Sequence, residues 1–453
     1  MNINKRFHLN YFLVIIGLGF NSIYASQDIV LDAEKIEISK ISGETMQSKS
    51  GVHVNLHLIL AKDYFQISED GLEYIYDFSH RKVIILDPKN KIYEEFSIFT
   101  YIGFRTAEME NRLRVYDNFK KYNDKQFLSY LTPLMLENYF SIKSSRDSEK
   151  INVKSSEGKI TYIADGIEGL METSKEGKLI SKEDMNIFSK FMRYRVGGHP
   201  DILSKINEAS TVPDWFSNNS TTDGRHFIKT NYKLVSLKNL SDVSYSLDGY
   251  KPGTIKFSGD FLGFIKSSTR EFAKDSEQKI STIETEIKES INQKKYFEAI
   301  LGCMEIGLYS SRFDNAVCKE NLKVFQTDEK VLVFLSNLNS DEKNMLNVSY
   351  QKLKELEPAS FKKTYILWVF EANLKARSGE TQEAFDLYYK ALKKNPYLTG
   401  VYKDMGEIFY SNYNMDMAWF CWDTGRKIFK DHSMLKEIDK LEEDMVKKYP
   451  DFF

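Results

Sequence analysis

Residues 52–60 alternate between apolar and polar side chains. The apolar residues stand at even positions, while histidine, asparagine and one isoleucine stand at odd positions. A period of two is typical of a β-strand with one buried face. Similar short runs follow at 64–67, 72–78, 82–86 and 91–99, separated by turn sequences such as Glu69-Asp70-Gly71 and Asp87-Pro88-Lys89-Asn90. Short strands joined by short turns predict an antiparallel sheet.

A helical insertion follows this first set of strands. Apolar residues recur at helical spacing from Met109 to Phe119 and again from Phe127 to Tyr139, which predicts two helices, the second running across Pro133. A third helix is predicted from Asp184 to Val196, and Pro200 is expected to begin a short helix. A second set of strand-like segments lies at 159–164, 226–237, 243–247 and 254–257.

The second half of the chain has a helical pattern. Ser267 to Gln293 is polar, charged and rich in helix-forming residues, which predicts a long connecting helix. Tyr296 to Leu308 is the next predicted helix, and it resembles a degenerate copy of a helix found later in the chain. Further helices are predicted between Asp328 and Glu357, and the tail from His432 to Phe453 is expected to cap the helical stack.

From Phe361 to Lys430 the chain repeats itself at an offset of thirty-four residues. Small residues fall on small residues, and aromatic residues fall on aromatic residues. The matched pairs are Trp368 and Tyr402, Ala372 and Gly406, Ala384 and Ala418, Tyr388 and Trp422, and Ala391 and Gly425. Paired helices of this kind bury their apolar faces only when the pairs stack on one another. Small side chains are then needed where two helices cross closely, and aromatic side chains fill the spaces that remain between helices.

This spacing resembles the tetratricopeptide repeat, a helix–turn–helix unit of thirty-four residues. The resemblance implies stacked helical hairpins whose first helices line a hollow that binds a protein partner. Gly379 stands at the expected turn of the first unit, and Pro396 stands at its end. The second unit has Tyr413 at the turn, so we expect a neighbouring asparagine to form that turn one position out of register. An ordinary pair of helical hairpins with coincidental spacing is the alternative.

The first half is similar in architecture to the half-barrel of periplasmic lipoprotein carriers, over residues 28–260. That similarity implies a curved sheet that holds acyl chains under a helical lid. The alternative is a sheet whose apolar face is filled by its own helices. The predicted fold class is therefore α+β, with an N-terminal antiparallel, half-barrel-like β-sheet domain carrying inserted helices and a following all-α domain of tetratricopeptide-like repeats.

The N-terminus has the pattern of an export signal. Lys5 and Arg6 precede an apolar run from Tyr11 to Phe20, and the small residue Ala25 ends a candidate cleavage site. The run is short for a membrane span, which needs about 20 residues, and an uncleaved anchor is the alternative. We predict a signal peptide at 1–25, a β-rich domain at 26–265 and a helical domain at 266–453. The mature protein is expected to be periplasmic or secreted and not integral to the membrane.

Composition narrows the function classes. Of the 453 residues, 42% are hydrophobic and 28% are charged, which indicates a globular chain. The net charge of −2 gives no general reason to bind nucleic acid. With three cysteines the chain is not a disulfide scaffold. Cys303 and Cys318 either pair in an oxidising compartment or stay as buried thiols.

Few sequence motifs suggest a catalytic or metal-binding site. His53 and His57 are four strand positions apart, about 13 Å, which is too far for both to bind one metal ion. His199 follows two glycines and precedes a proline, and we interpret it as the junction of two helices rather than as a catalytic base. The sequence contains no phosphate-binding glycine loop and no nucleophile elbow. We therefore predict no metal, no cofactor and no enzymatic activity.

The helical repeats and the sheet suggest different functions. The first hypothesis is a non-catalytic scaffold of the cell envelope that binds a protein partner in the hollow of the repeats. The resemblance places five residues at that hollow: Asn373, Arg377, Lys403, Glu407 and Tyr410. The alternative is a periplasmic carrier or sensor of a hydrophobic ligand, a lipid or a lipoprotein, held by the β-rich domain. An enzyme is a third hypothesis.

Overall fold

The computed structural model describes most of the chain. The described residues are 26–41, 44–47, 52–123, 132–147, 149–164, 167–221, 226–241, 243–256, 259–268, 276–312, 315–338 and 343–453. The predicted signal peptide at 1–25 lies outside them.

The strands of the first half form an open sheet. They are β1 (Ser26–Ile41), β2 (Glu44–Gln47), β3 (Val52–Leu60), β4 (Tyr64–Glu69), β5 (Leu72–Asp77), β6 (Lys82–Asp87), β7 (Ile92–Ser97), β8 (Asn152–Ser156), β9 (Lys159–Ala164), β10 (Ile167–Ser174), β11 (Gly177–Leu179), β12 (Thr211–Pro213), β13 (Trp215–Thr221), β14 (His226–Leu240) and β15 (Lys251–Pro252). The order is β15-β7-β6-β5-β4-β3-β1-β14-β13-β10-β9-β8, β2 pairs with β1, and β11 and β12 pair separately. The pairing is antiparallel except between β15 and β7. The predicted α+β fold with an antiparallel sheet is confirmed.

The long strand β1 lies at the centre of the sheet. Leu31 of β1 is the cross-strand partner of Leu56 in β3 and of Leu234 in β14. Because side chains alternate across a strand, these leucines share the core face, while His53 and His57 lie exposed on the outer face. The strand predicted from the alternation at 52–60 is confirmed.

Helices of the first half cover the core face of the sheet. They are α1 (Phe99–Lys121), α2 (Pro133–Phe140), α3 (Lys182–Phe191), continued by a π-helix at Met192–Val196, and α4 (Pro200–Ala209). These helices and the sheet share one apolar core, in which the rings of Phe65, Phe140 and Phe188 are fully buried. The helical insertion is confirmed, and the apolar face of the sheet is filled by helices of the same chain.

One helix boundary differs from the prediction. α2 begins at Pro133 because Thr132 is extended, with ψ 154°, and its hydroxyl accepts the N–H of Met135 at 3.3 Å. The proline ring disfavours helical backbone at the residue before it, so a helix begins there more readily than it continues. The prediction of a helix running across Pro133 is therefore wrong. Phe127 and Leu131 lie outside the described residues.

Residues 243–253 cross the outer face of the sheet. The rings of Tyr245 and Tyr64 meet edge to face with centroids 5.1 Å apart, and the Tyr245 hydroxyl donates to Asp77 Oδ2 at 2.5 Å. The strands predicted at 243–247 and 254–257 are wrong where the structure describes them. Side-chain contacts hold this segment, which pairs with the sheet only at β15.

The second half is helical. Its helices are α5 (Asp260–Ser268), α6 (Ser276–Asn292), α7 (Tyr296–Ser310), α8 (Ala316–Glu320), α9 (Leu322–Phe325), α10 (Glu329–Asn337), α11 (Lys343–Glu355), α12 (Thr364–Ser378), α13 (Thr381–Lys394), α14 (Thr399–Ser411), α15 (Met415–Ile428) and α16 (Lys436–Lys448). The long helix predicted at Ser267–Gln293 is confirmed over Ser276–Asn292, and residues 269–275 lie outside the described residues. None of the described helices combines the length with the apolar character that crossing a bilayer requires.

Helix α7 lies at the centre of a second apolar core. Ile300, Leu301 and Ile306 are buried, and so are polar positions of the same helix. A helix that is apolar on all sides belongs in a core. A Cβ on Gly302 would lie 2.7 Å from Cγ1 of Ile287 on α6, so the glycine lets α6 and α7 cross closely.

The last helices pack against the sheet half of the chain. Trp419 of α15 and Met445 of α16 belong to the same apolar core as the sheet. Near the C-terminus, the Tyr194 hydroxyl donates to the carbonyl of Phe452 at 3.1 Å. At the other end of the helical half, Phe261 of α5 packs in the second core, so a division between residues 265 and 266 falls inside α5.

Candidate functional site

The repeated region consists of two helical hairpins. α12 packs along α13, and α14 packs along α15. Gly379 has φ 90° at the first turn, and Tyr413 has φ 60° at the second. The expectation that the second turn lies one position out of register is wrong, because Tyr413 itself adopts the left-handed conformation. Asn414 serves instead as the N-cap of α15, and its side chain accepts the N–H of Met417 at 3.3 Å.

Helix α7 covers part of the surface on which the predicted site lies. It contacts both α12 and α14, the first helices of the two hairpins. Ile366 of α12 is fully buried. At the thirty-four-residue offset, Ile366 corresponds to Gly400 of α14, where a Cβ would lie 3.2 Å from Cδ2 of Leu308 in α7. Helix α7 therefore covers the N-terminal turns of α12 and α14. Arg377 and Glu407, near the C-terminal ends of these two helices, are exposed.

A buried carboxylate fixes α7 against the first hairpin. Glu305 is 3% exposed and accepts hydrogen bonds from Lys363 Nζ at 2.5 Å, the Tyr365 hydroxyl at 2.7 Å and Asn395 Nδ2 at 2.6 Å. Burial opposes the charge of Lys363, but the carboxylates of Glu305 and Glu286 outweigh it and raise the pKa of the ammonium group. Removing one partner of such a buried pair is costly, because the other charge is left uncompensated.

Two of the five predicted residues are engaged within the hairpins. The Tyr388 hydroxyl donates to Asn373 Oδ1. The ring of Tyr410 packs against Trp419 and Trp422, with centroid distances of 5.8 and 5.7 Å. Asn373 and Tyr410 therefore contribute first to the packing of the repeats, and each is only half-buried.

The charged members of the predicted site differ in exposure, with Lys403 half-buried and Arg377 and Glu407 exposed. Lys403 Nζ lies 2.7 Å from Glu407 Oε1 and 3.8 Å from Asp404 Oδ1. Burial works against the ammonium charge, but these carboxylates raise the pKa of Lys403 overall. Burial also raises the pKa of the Asp404 carboxyl to about 7, although Lys403 opposes the shift. The structure thus brings Lys403 and Glu407 together as an ion pair and leaves Arg377 and Glu407 as the exposed charges.

The histidines of β3 lie beside carboxylates of the neighbouring strand. His57 Nε2 lies 2.7 Å from Asp28 Oδ1, and His53 Nδ1 lies 3.5 Å from Asp32 Oδ1, both on the neighbouring strand β1. Among the residues that the structure describes, no group of three or more histidine, cysteine or acidic side chains is arranged to bind a metal ion.

His199 joins two helices, as the sequence predicted. Its Nδ1 accepts the N–H of Asp201 at 3.1 Å, which caps α4. Because Nδ1 is an acceptor, the ring hydrogen is on Nε2, which donates to Glu137 Oε2 at 2.8 Å. Both side chains of this histidine–glutamate pair are buried, so the pair links α2 to α4 inside the first core.

A second histidine lies beside a serine and an aspartate without forming a catalytic triad. The turn after β5 places Ser79 Oγ 3.0 Å and Asp77 Oδ2 2.8 Å from the same atom, His80 Nδ1. A triad requires the base to use one ring nitrogen for the nucleophile and the other for the carboxylate. The arrangement is a hydrogen-bonded turn around a buried aspartate.

The sequence left open whether Cys303 and Cys318 pair, and the structure contains the disulfide between them. It joins α7 to the short helix α8. Cys421 is a free, fully buried thiol in α15, and burial raises its pKa.

Sequence reasoning missed the role of α7 and Glu305. The usable signal is the run from Ile300 to Leu308, which is apolar on all faces and contains a single charge, Glu305. A charge in such a helix requires a partner. The partners lie 58, 60 and 90 residues further along the chain, so no local pattern identifies them. No protein-family model and no curated protein matches this chain.

Proposed function

We propose that this protein is an exported, non-catalytic scaffold that binds a protein partner in the cell envelope through tetratricopeptide-like repeats. The observation that carries the proposal is the pair of hairpins α12–α13 and α14–α15, which repeat small and aromatic residues at one offset. Stacked hairpins of this kind contact mainly their neighbours and present an extended surface for binding.

Export is proposed from the signal pattern at 1–25, and the disulfide supports it. Disulfide bonds persist in oxidising compartments such as the periplasm and are rare in reducing ones. Cys303 and Cys318 form such a bond in the helical half. The predicted protein partner would therefore belong to the same compartment.

The proposed binding surface lies at the C-terminal ends of α12 and α14. Arg377 and Glu407 are exposed there and carry opposite charges. Lys403 holds the Glu407 carboxylate at 2.7 Å, so part of the surface is ordered before a partner arrives. Asn373 and Tyr410 border this surface with their half-buried side chains.

The alternative function, a carrier or sensor of a hydrophobic ligand in the β-rich half, has less support. The apolar face of the sheet shares its core with α1 to α4 and with residues of α15 and α16. An acyl chain on that face would have to displace these helices. Copurification of lipid with the full chain would favour this second function.

Site-specific crosslinking in the full mature chain tests the scaffold proposal. A photoreactive amino acid replaces Glu407, and in the control it replaces Gln382, an exposed residue on the second helix of the first hairpin. We expect a discrete partner crosslinked from position 407 and not from position 382. Equal crosslinking from both positions, or none from 407, would contradict the proposed surface. Residues 266–453 alone are unsuitable, because a cut at that point divides α5 and uncovers Trp419 and Met445.

A charge reversal then tests the residues themselves. Arg377→Glu should weaken capture of the crosslinked partner, while Arg114→Glu, at an exposed arginine of α1, should leave it unchanged. Reversing Lys403 is avoided, because it would add a third carboxylate beside Asp404 and Glu407. Unchanged capture by Arg377→Glu, with helicity intact, would remove Arg377 from the binding surface.

A further inference from the structure

A cleft of about 320 Å³ opens where the sheet half meets the last helices. One wall is the turn between β5 and β6 together with β7. The other wall is formed by α15 and α16. This volume is at the lower end of the range of small-molecule sites, roughly 300–1,000 Å³. None of the residues that line the cleft belongs to α12 or α14, which carry the proposed partner surface.

One end of the cleft gathers cationic side chains from both walls, Arg81 and Lys82 from the sheet side and Lys427 from α15. Arg81 lies in the turn before β6, with its guanidinium 5.9 Å from the centroid of the Phe99 ring, and it forms no ion pair with the residues that the structure describes. Lys82 and Lys427 share a single carboxylate, that of Glu95, at 3.0 and 3.9 Å. At this end of the cleft, Lys82 and Lys427 come from opposite walls, and the three cationic side chains have one ion-paired carboxylate, Glu95, among them.

The acidic side chains on α15 and α16 are already paired with an arginine of α15. Asp423, Asp439 and Glu442 surround Arg426 at 2.8, 2.9 and 3.1 Å. Glu442 Oε1 also accepts the indole N–H of Trp419 at 2.8 Å. Burial raises the pKa of Glu442 to about 7, although Arg426 opposes the shift. These carboxylates pair with Arg426, and among the described residues none of them lies within ion-pair distance of Arg81.

The floor of the cleft is largely apolar. Phe99 and Phe420 line it, and Phe99 is 3% exposed. Ser97, 7% exposed, adds one polar atom. Its Oγ accepts the N–H of Phe99 at 3.3 Å, which leaves the hydroxyl hydrogen to be donated elsewhere. A ligand that fits this cleft needs a compact apolar part and an anionic group.

We propose that the junction cleft binds a small organic anion, a carboxylate attached to a compact, planar apolar group. Arg81 binds the carboxylate, because a guanidinium offers two parallel N–H donors to two oxygens. Lys82 and Lys427 add positive charge at the same end, and Phe99 and Phe420 contact the apolar group. Because both halves of the chain line the cleft, such a ligand bridges them and stabilises their contact.

Benzoate is a suitable probe, tested on the full mature chain at constant ionic strength. We expect a saturable rise in Tm with benzoate, and saturation-transfer NMR signals from its ring protons. Benzyl alcohol and benzylammonium have the same ring without the negative charge, and inorganic phosphate has the charge without the ring. Benzyl alcohol and benzylammonium should bind about tenfold more weakly or worse, since a hydrogen bond to a charged group contributes roughly 1.5–3 kcal/mol. Phosphate should also bind more weakly than benzoate, because it has no apolar surface to bury against Phe99 and Phe420.

Substitutions locate the site. Arg81→Gln should weaken benzoate binding about tenfold, and Lys427→Gln should weaken it less. Arg114→Gln, at an exposed arginine on α1, should leave it unchanged. Arg81 is exposed in a turn, so its replacement is not expected to unfold the protein, and circular dichroism checks this. Equal binding of benzyl alcohol, equal binding of phosphate, or undiminished binding by Arg81→Gln would each overturn the proposal.

Discussion

The indole of Trp422 occupies the space that a Cβ on Gly406 would take. Its Nε1 donates to the carbonyl of Lys403 at 3.1 Å, so the ring is held against the first helix of its own hairpin. In the first hairpin, Tyr388 occupies the position equivalent to Trp422, and its hydroxyl donates a hydrogen bond to Asn373. Asn373 follows Ala372, the residue equivalent to Gly406. The repeated pairing of a small residue with an aromatic residue therefore reflects the close approach of two helices.

Gly406→Ala should lower the free energy of unfolding by about 1–3 kcal/mol, because the added methyl overlaps the indole of Trp422 and the hairpin must shift. Urea denaturation measures the change. Gly425→Ala is the matched control in the same hairpin, since its Cβ would lie 3.5 Å from Leu435 Cδ1, an ordinary contact. That control should be neutral or stabilising. Equal losses at both positions would show that overlap with the ring is not the cause.

Gly379→Ala tests the turn of the first hairpin. Gly379 has φ 90°, and a Cβ at this position would meet no atom within 4 Å, so alanine would cost only backbone strain, about 1–2 kcal/mol. Gly263→Ala, in helix α5 with equally open space, should instead gain about 0.5–1 kcal/mol. Thermal unfolding of both variants gives the comparison. A loss at Gly263 as large as that at Gly379 would refute the role of the left-handed turn.

Glu371 should make stability depend on pH. It is 1% exposed, and its Oε1 has no hydrogen-bond partner among the described residues. Burial, followed by the nearby Glu357 carboxylate, raises the pKa of Glu371 to about 7. The Glu371 carboxyl group therefore binds its proton more tightly in the folded state than in the unfolded chain. Its contribution to stability is complete below the unfolded pKa, about 4.3, and is lost as the pH rises through about 7.

Glu371→Gln should consequently stabilise the protein above pH 7 by roughly 1–3 kcal/mol. It should also reduce the pH dependence of stability between the two pKa values, while Asp404 and Glu442, whose pKa values burial also raises to about 7, keep the remainder. Urea denaturation across that pH range measures both effects. Glu208→Gln, at an exposed glutamate of α4, serves as the control and should leave the profile unchanged. An unaltered profile for Glu371→Gln would mean that Glu371 does not contribute to the pH dependence.

Reduction of the Cys303–Cys318 disulfide should destabilise the helical half. The bond closes a loop with a sequence separation of 15 residues, and a loop of that length contributes about 3 kcal/mol by restricting the unfolded chain. Denaturation with and without a thiol reductant measures the loss. The double variant Cys303→Ala/Cys318→Ala should be insensitive to the reductant, and a persistent effect there would point to another cause.

Much of the secondary structure could be predicted because its patterns are local. The alternation at 52–60 identified β3, and the glycine pair before His199 identified the end of one helix and the start of the next. The same local logic failed at Pro133, where the proline begins a helix. It also failed at Tyr413, because a hairpin closed by good contacts on both helices can force a left-handed turn on a residue that rarely adopts one.

For the candidate sites, the sequence by itself determined which helix faces are apolar and which residues repeat at an offset of thirty-four. The tertiary structure alone decided what covers those faces. It placed α7 against α12 and α14, and it gave Glu305 hydrogen-bond partners 58 to 90 positions away in the sequence. It also brought Arg81 opposite α15 across a cleft. Periodicity records that a side chain is buried, whereas the partner that buries it depends on packing between segments far apart in the chain.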